Sequence, residues 1–288
     1  MFAAPCNLSG VKSKNNNEDT IMQTQNRLSL HTILLAFSVS LTISGTPTWA
    51  DTVAGIDGDI EISPLVHSSV QLEYEGFVIQ VDPWAPIDIS HAKTADLILV
   101  TDSPGHHLDI DAIEALSKQN TSIVIAENGL SKVPHGIVAK NGEALKVSGV
   151  TVEAIAAYDI IIGAPTHPKG DANGYVLTLG GKRFFFAGVT ECVEEVKALR
   201  GIDVAFMPMN IPLGRMTPKA AADCTKILDP SVVYTYHFDQ DWVRRLANPD
   251  FGGSDLPGGL SVAETLTAFE NELSDTTIEF RRGDWYPD

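Results

Sequence analysis

The sequence predicts a mixed α and β domain with one large core, and three observations carry that prediction. Short apolar runs of strand length recur along the chain, glycine-containing turns separate them, and a few stretches carry helical spacing instead. A chain of 288 residues with 44% hydrophobic content can bury one catalytic-sized core, and no internal repeat or low-complexity segment divides it. In chain order, strands are expected at Ile60 to Ile62, Ser69 to Tyr74, Phe77 to Val81, Leu97 to Val100, Ser122 to Ala126 and Val150 to Ala157. A second group follows at Tyr175 to Leu179, Phe184 to Ala187, Val204 to Met207 and Val232 to Tyr236. Glu75-Gly76, Asn128-Gly129, Asn141-Gly142 and Gly180-Gly181 supply turns, the first reading as a tight hairpin. Helical patterning appears at Ile110 to Ser117, Val193 to Leu199, Pro218 to Leu228 and Val262 to Leu273. Gly252 to Gly259 lacks the Lys-Ser/Thr ending and preceding strand of a phosphate loop, so it reads as a linker. The closing stretch from Arg281 to Tyr286 reads as a docked terminus.

The first fifty residues differ in kind. Arg27 precedes an apolar run from Leu28 to Ile43, and Thr48-Trp49-Ala50 offers small residues where a signal peptidase cuts. The expected organisation is therefore an extension over 1–21, a secretory signal over 22–50 starting at Met22, and the working domain over 51–288. His31, Thr32, Ser38 and Ser40 interrupt the apolar run, which falls short of the ~20 residues of a spanning helix. An exported protein, periplasmic or secreted and without stable membrane insertion, is the expectation.

Charge narrows the partners. The whole chain carries a formal charge of -17, and loss of Lys12, Lys14, Arg27, Glu18 and Asp19 leaves 17 basic against 35 acidic residues, or -18. Such a field disfavours nucleic acid, anionic membrane surfaces and highly phosphorylated ligands, leaving a small-molecule substrate or ligand. Cys192 and Cys224 survive processing and could pair in an oxidising compartment or remain buried thiols. Asn120-Thr121-Ser122 fits a glycosylation acceptor.

Chemistry concentrates in Thr101 to Asp109, TDSPGHHLD, which follows a strand-like run and precedes a helix-like one, a position where a βα unit presents side chains. This loop resembles the metal-binding loop of the metallo-β-lactamase superfamily, in particular its lactonase-like hydrolases, whose signature is Thr-His-x-His-x-Asp-His. Thr101, Gly105 and His107 fit, whereas Asp102 and Pro104 stand at the two leading histidines and His106 at the aspartate. Further segments resemble the family in the expected order: His67-Ser68-Ser69-Val70, Val81-Asp82-Pro83-Trp84, His167-Pro168-Lys169-Gly170, the run from Phe184 to Thr190, Met216-Thr217-Pro218 and Tyr236-His237-Phe238. Val189 stands where the family's bridging aspartate belongs.

The resemblance implies a four-layer αββα sandwich with the site on the loops at one edge of its two sheets. Carried across, Asp102, Pro104 and His167 fall at the first metal position, and proline offers no donor there. His106, His107 and His237 fall at the second, and three imidazoles can hold one zinc ion with an open position. Iron, nickel and copper also suit such a donor set. His67 is a candidate for bonding a ligand or substrate, and Glu191 for a general base or replacement ligand. Asp82 and Asp109 read as residues that orient a histidine or cap the next helix, and His91 and His135 as surface residues. The implied activity is hydrolysis of an ester, lactone, amide or phosphoester by a metal-bound hydroxide. The alternative is a non-catalytic member that binds a small molecule or a protein in the former cleft, and Asp102, Pro104 and Val189 speak for it.

Overall fold

Alternation of inward and outward side chains builds two sheets in the computed structural model, which describes residues 50–163, 167–209, 214–250, 260–283 and 285. The first sheet runs in chain order through β1 (Asp51–Ala54), β2 (Asp59–Val66), β3 (Ser69–Tyr74), β4 (Phe77–Val81), β5 (Ala95–Leu99), β6 (Ser117–Ile125) and β7 (Ile137–Val138). The second contains β8 (Ala144–Val147), β9 (Val150–Ala157), β10 (Ala172–Leu179), β11 (Lys182–Phe186), β12 (Val204–Pro208), β13 (Val232–Tyr236) and β14 (Glu279–Phe280), again neighbour by neighbour. Helices α1 (Ile110–Leu116), α2 (Glu194–Lys197), α3 (Pro218–Leu228), α4 (Gln240–Ala247) and α5 (Val262–Glu272) lie between or after these strands.

Each sheet begins as antiparallel hairpins and ends as parallel crossovers. Tyr74 pairs with Phe77 across Glu75-Gly76, and Leu179 with Lys182 across Gly180-Gly181; both central residues of each turn have positive φ, the form whose twist matches a two-residue hairpin. β4, β5 and β6 are parallel, as are β11, β12 and β13, so the chain crosses back between them, through a loop from β4 to β5 and through α1, α2 and α3 at the other three crossovers.

Side-chain parity makes the layers. In β13, Val232, Tyr234 and Tyr236 enter a core shared with Ile62, Leu72, Ile79 and Leu97 of the other sheet, while Val233 faces α3 and α5 with Cys224, Leu228 and Phe269. On the far side, α1 contributes Ile113 and Leu116 to clusters over the first sheet. Two sheets face to face with helices outside form the four-layer αββα sandwich. Phe186, Phe206 and Tyr234 stack across the second sheet, with centroids 4.7 and 4.9 Å apart.

The helix ends follow their local chemistry. Asp109 caps α1 by accepting from the Asp111 and Ala112 amides, Thr217 caps α3 ahead of Pro218, and Ser261 with Glu264 forms a capping box on α5. Cys192 and Cys224 are joined as a disulfide that ties the chain before α2 to α3. Trp285 is buried in the inter-sheet core and Arg281 donates to the Thr52 carbonyl at 2.9 Å, so the terminus docks. Elements beyond the sequence expectation are β1, β7, β8, β14 and α4, and Asn128-Gly129 lies in a 3-10 turn (Glu127–Ser131). The extension, the secretory signal up to Trp49 and the Gly252 to Gly259 linker lie outside the described residues.

The topology aims one edge of each sheet at the same place. β2 and β4 both run antiparallel to β3, and β5 runs parallel to β4, so their ends share an edge. The ends of β9, β11, β12 and β13 share the corresponding edge of the second sheet. His237 N–H donates to the His67 carbonyl at 3.1 Å and Asn173 N–H to the Thr101 carbonyl at 2.9 Å, joining the two edges.

Candidate metal centre

Four imidazoles gather where these strand ends meet. His67 follows β2, His106 and His107 lie in the loop after β5, and His237 follows β13. His67, Asp82 and His237 have φ of 56°, 43° and 58°, left-handed values that residues other than glycine adopt at a cost of roughly 1–3 kcal/mol each. The chain turns sharply there, which brings side chains from two sheets to one point. Gly188, after β11, has φ 67°, and a Cβ on it would stand 3.0 Å from the Asn173 carbonyl oxygen, so the backbone passes where no side chain fits.

One nitrogen each of His67, His106 and His237 lies within 4.8 Å of the other two. His67 holds Nδ1 against the buried Asp239 carboxylate at 2.7 Å, which fixes its ring and directs Nε2 the other way. His107 has a different tie. Its Nδ1 meets Asp82 Oδ2 at 2.7 Å, and its Nε2 lies 3.1 Å from Nε2 of His237. Asp82 also accepts from the Thr101 amide at 2.7 Å and hydroxyl at 2.5 Å, so it locks the loop and the imidazole together. The trio with nitrogens within 4.8 Å of one another thus contains His67 where the resemblance placed His107, while the ring centroid of His107 lies 4.4 Å from that of His106 and 4.9 Å from that of His237. Asp82 and Asp109 do what was expected of them, orienting His107 and capping α1.

Electrostatics favours metal-ready imidazoles. Burial, then repulsion from His107 and Arg244, holds His67 well below its ordinary pKa; burial also lowers His106 and His237, assisted by neighbouring histidines. A neutral imidazole is the form that binds a metal. Burial opposes the charge on His107 as well, but the Asp82 carboxylate outweighs it and raises the pKa. His237 Nδ1 is buried with no hydrogen-bond partner among the described residues. Three neutral imidazoles and an orphaned ring nitrogen fit one ion of the zinc type.

Asp102 and His167 form an adjoining pair and are not part of that trio. His167 Nε2 stands 3.5 Å from Asp102 Oδ2, at ion-pair rather than hydrogen-bond range, and Asp102 Oδ2 is buried without a hydrogen bond among the described residues. The other nitrogen of His167 meets Asp159 at 3.0 Å, and Arg215 donates to the same carboxylate oxygen at 2.7 Å. Burial raises the Asp102 pKa, against the opposing influence of His107. Glu191 is committed elsewhere, because one of its oxygens accepts from the Ile160 and Ile161 amides. Val189 packs with Ala157 and Ala172 in a small apolar cluster, and the Pro104 carbonyl accepts from the His107 and Leu108 amides. His91 and His135 are exposed.

Residues 61–237, more than half of the chain, match the model of the beta-lactamase superfamily domain. The chain belongs to the metallo-β-lactamase-fold metallo-hydrolases. The UPF0173 metal-dependent hydrolase of Korarchaeum cryptofilum is 30% identical to this member over 193 residues, covering 62% of this chain and 83% of its own. Its counterpart in Bacillus velezensis is 28% identical over 233 residues, covering 71% and 95%. The crystal structure of a metal-dependent hydrolase from Parabacteroides distasonis matches this fold with a TM-score of 0.68 and 32% identity, over 82% of this chain and 99% of that one.

Asp239, Trp84 and Arg215 are site residues that sequence reasoning missed. Asp239 stands two positions after His237 at the start of α4, and an acid so close to a candidate ligand was the available signal. Trp84 packs its ring 5.4 Å from that of His67 and 6.1 Å from that of His106, giving the centre an apolar wall.

Proposed function

We propose that this member is an exported hydrolase that uses a single ion, zinc by donor preference, held by His67, His106 and His237, to cleave an ester, lactone, amide or phosphoester bond of a small molecule. The observation that carries the reading is the trio itself: three imidazoles on loops from both sheets, converging within 4.8 Å and kept neutral by burial. A bound ion supplies Lewis acidity at the bond to be cut and lowers the pKa of water. The protein's own part is positional. Asp239 orients His67, Asp82 orients His107 behind His237, and Trp84 shields one side from solvent. Asp102 Oδ2 is the buried acceptor available for a proton leaving the attacking water, and His167, braced by Asp159 and Arg215, stands beside it.

Export is supported by the Arg27-led apolar run with its small-residue ending, and by the Cys192–Cys224 disulfide, which suits an oxidising compartment. A second reading, a non-catalytic binder, draws on Val189, whose apolar packing leaves no carboxylate to bridge two ions. Elemental analysis of protein spanning 51–288, purified without chelator or affinity histidines, separates the two. About one equivalent of transition metal, lost in a His106→Ala, His237→Ala double variant, supports the hydrolase; no metal, and none taken up from added zinc, refutes it.

A further inference from the structure

Three consecutive isoleucines stand in water. Ile160, Ile161 and Ile162 are 56%, 53% and 100% exposed, in the loop that leaves β9 and leads to His167. Isoleucine is ordinarily buried, and a contiguous exposed apolar patch marks a surface that something covers.

The loop is held out by design of its stem. Glu191, itself buried, accepts from the Ile160 and Ile161 amides. Asp159, immediately before them, accepts from the His167 amide at 2.8 Å and from Arg215 at 2.7 Å. Arg215 also donates to the Gly163 carbonyl at 3.0 Å, immediately after them. Buried carboxylates and a buried guanidinium therefore fix both ends of a segment whose side chains gain nothing from the fold. Desolvating such groups is costly, which argues that the presented tip has a use.

The stem also places the tip. Asp159 pairs with His167, His167 faces Asp102, and Asp102 shares its loop with His106. These contacts lead from the stem of the isoleucine loop to the loop that carries His106. Trp84 adds an apolar face against His67 and His106. An anionic membrane is a poor match for a chain of charge -17.

We propose that Ile160, Ile161 and Ile162 form an apolar rest for a linear alkyl or acyl arm of the substrate, so that this protein acts on molecules with a hydrocarbon chain next to the bond held at the His67, His106 and His237 centre. The assignment of the polar end rests on the hydrolase reading above; the apolar rest has a test of its own. Binding of the uncharged, non-hydrolysable series from 1-butanol to 1-octanol is measured by titration calorimetry on zinc-supplemented wild-type protein. Affinity is expected to rise roughly twofold to fourfold for each added methylene. The Ile160→Ser, Ile161→Ser, Ile162→Ser variant is expected to lose that rise and Ile162→Ser alone to lose part of it. Ile227→Ser, which alters an exposed isoleucine on α3, is expected to retain it. A flat series in the wild type, or equal slopes in the wild type and the triple variant, overturns the proposal. So does a wild-type dimer in sedimentation velocity that the triple variant abolishes, since a second copy would then cover the patch. Failure to hydrolyse the matching esters, with the chain-length slope intact, refutes the hydrolase reading and leaves the apolar rest standing.

Discussion

Replacing Asp239 by Asn removes a negative charge 2.7 Å from Nδ1 of His67 while nearly keeping the side chain's shape. Both side chains are buried, at 0% and 1% exposure, so bulk water cannot stand in for the lost carboxylate. The Asn oxygen can still accept from Nδ1, which preserves the tautomer, but Nε2 loses the added basicity that a carboxylate confers. Removing such a partner behind a metal-ligating histidine costs roughly 10- to 100-fold in affinity, or about 1.4–2.7 kcal/mol. The zinc Kd of Asp239→Asn, read by competition with a chromophoric chelator, should rise by that factor. Asp82→Asn is the matched comparison, because Asp82 stands behind His107 as Asp239 stands behind His67. With His67 in the trio, Asp239→Asn carries the larger loss. An unchanged Kd in Asp239→Asn beside a large rise in Asp82→Asn would show that His107, not His67, is the third ligand.

Asp102→Asn keeps the size of the side chain but cannot accept a proton at Oδ2, so kcat should fall roughly 10²- to 10⁴-fold with metal content unchanged; equal turnover would remove Asp102 from the chemistry. Cys192→Ser with Cys224→Ser opens a loop spanning 32 positions and should lower unfolding stability by roughly 3–4 kcal/mol in urea titration, whereas a variant as stable as the oxidised wild type would deny the bridge any such role. Stability of the metal-free protein should fall on acidification. His67 and His237 have folded pKa values below the ordinary 6.5, so the unfolded chain binds more protons below 6.5 and stability rises with pH through that region. Each such imidazole adds to the loss between pH 7.5 and 5.5. His107 has the opposite sign, stabilising below 6.5 and losing that contribution as pH climbs through its raised value, so it offsets part of the acid-side loss, which His67 and His237 together outweigh. A urea midpoint that is no lower at pH 5.5 than at 7.5 would contradict this account.

Much of the fold was legible because the strands that matter carry a strong period. Ser69 to Tyr74, Phe77 to Val81, Val150 to Ala157 and Val232 to Tyr236 coincide with β3, β4, β9 and β13, and Pro218 to Leu228 with α3, since Thr217 and Pro218 announce its start. The edge strands β7 and β14 have two residues each, too few for alternation to register. α4 is eight residues long, and although Trp242, Val243 and Leu246 stand at helical spacing, two turns are shorter than the window over which that period registers. The four-layer arrangement is not a property of any segment and came from the family resemblance.

The histidines at the site were legible as candidates, and their grouping was not. The family resemblance joined His106 with His107 and His237, because it carries ligand positions across by their order in the motifs. The fold groups residues by another rule, the convergence of strand ends. His67 and His237 are separated by most of the domain, yet the backbone hydrogen bond between them ties β2 to β13, and the left-handed turn at each places the imidazoles with centroids 4.2 Å apart. No local pattern announces a non-glycine residue that adopts positive φ for the sake of a site; its strain is offset by packing that only the folded chain supplies. The same holds for Asp239. As a sequence position it is one acid among 37. As a buried carboxylate against His67 it fixes one imidazole of the trio, and a charge-removing substitution there separates the two possible trios more cleanly than deletion of any histidine.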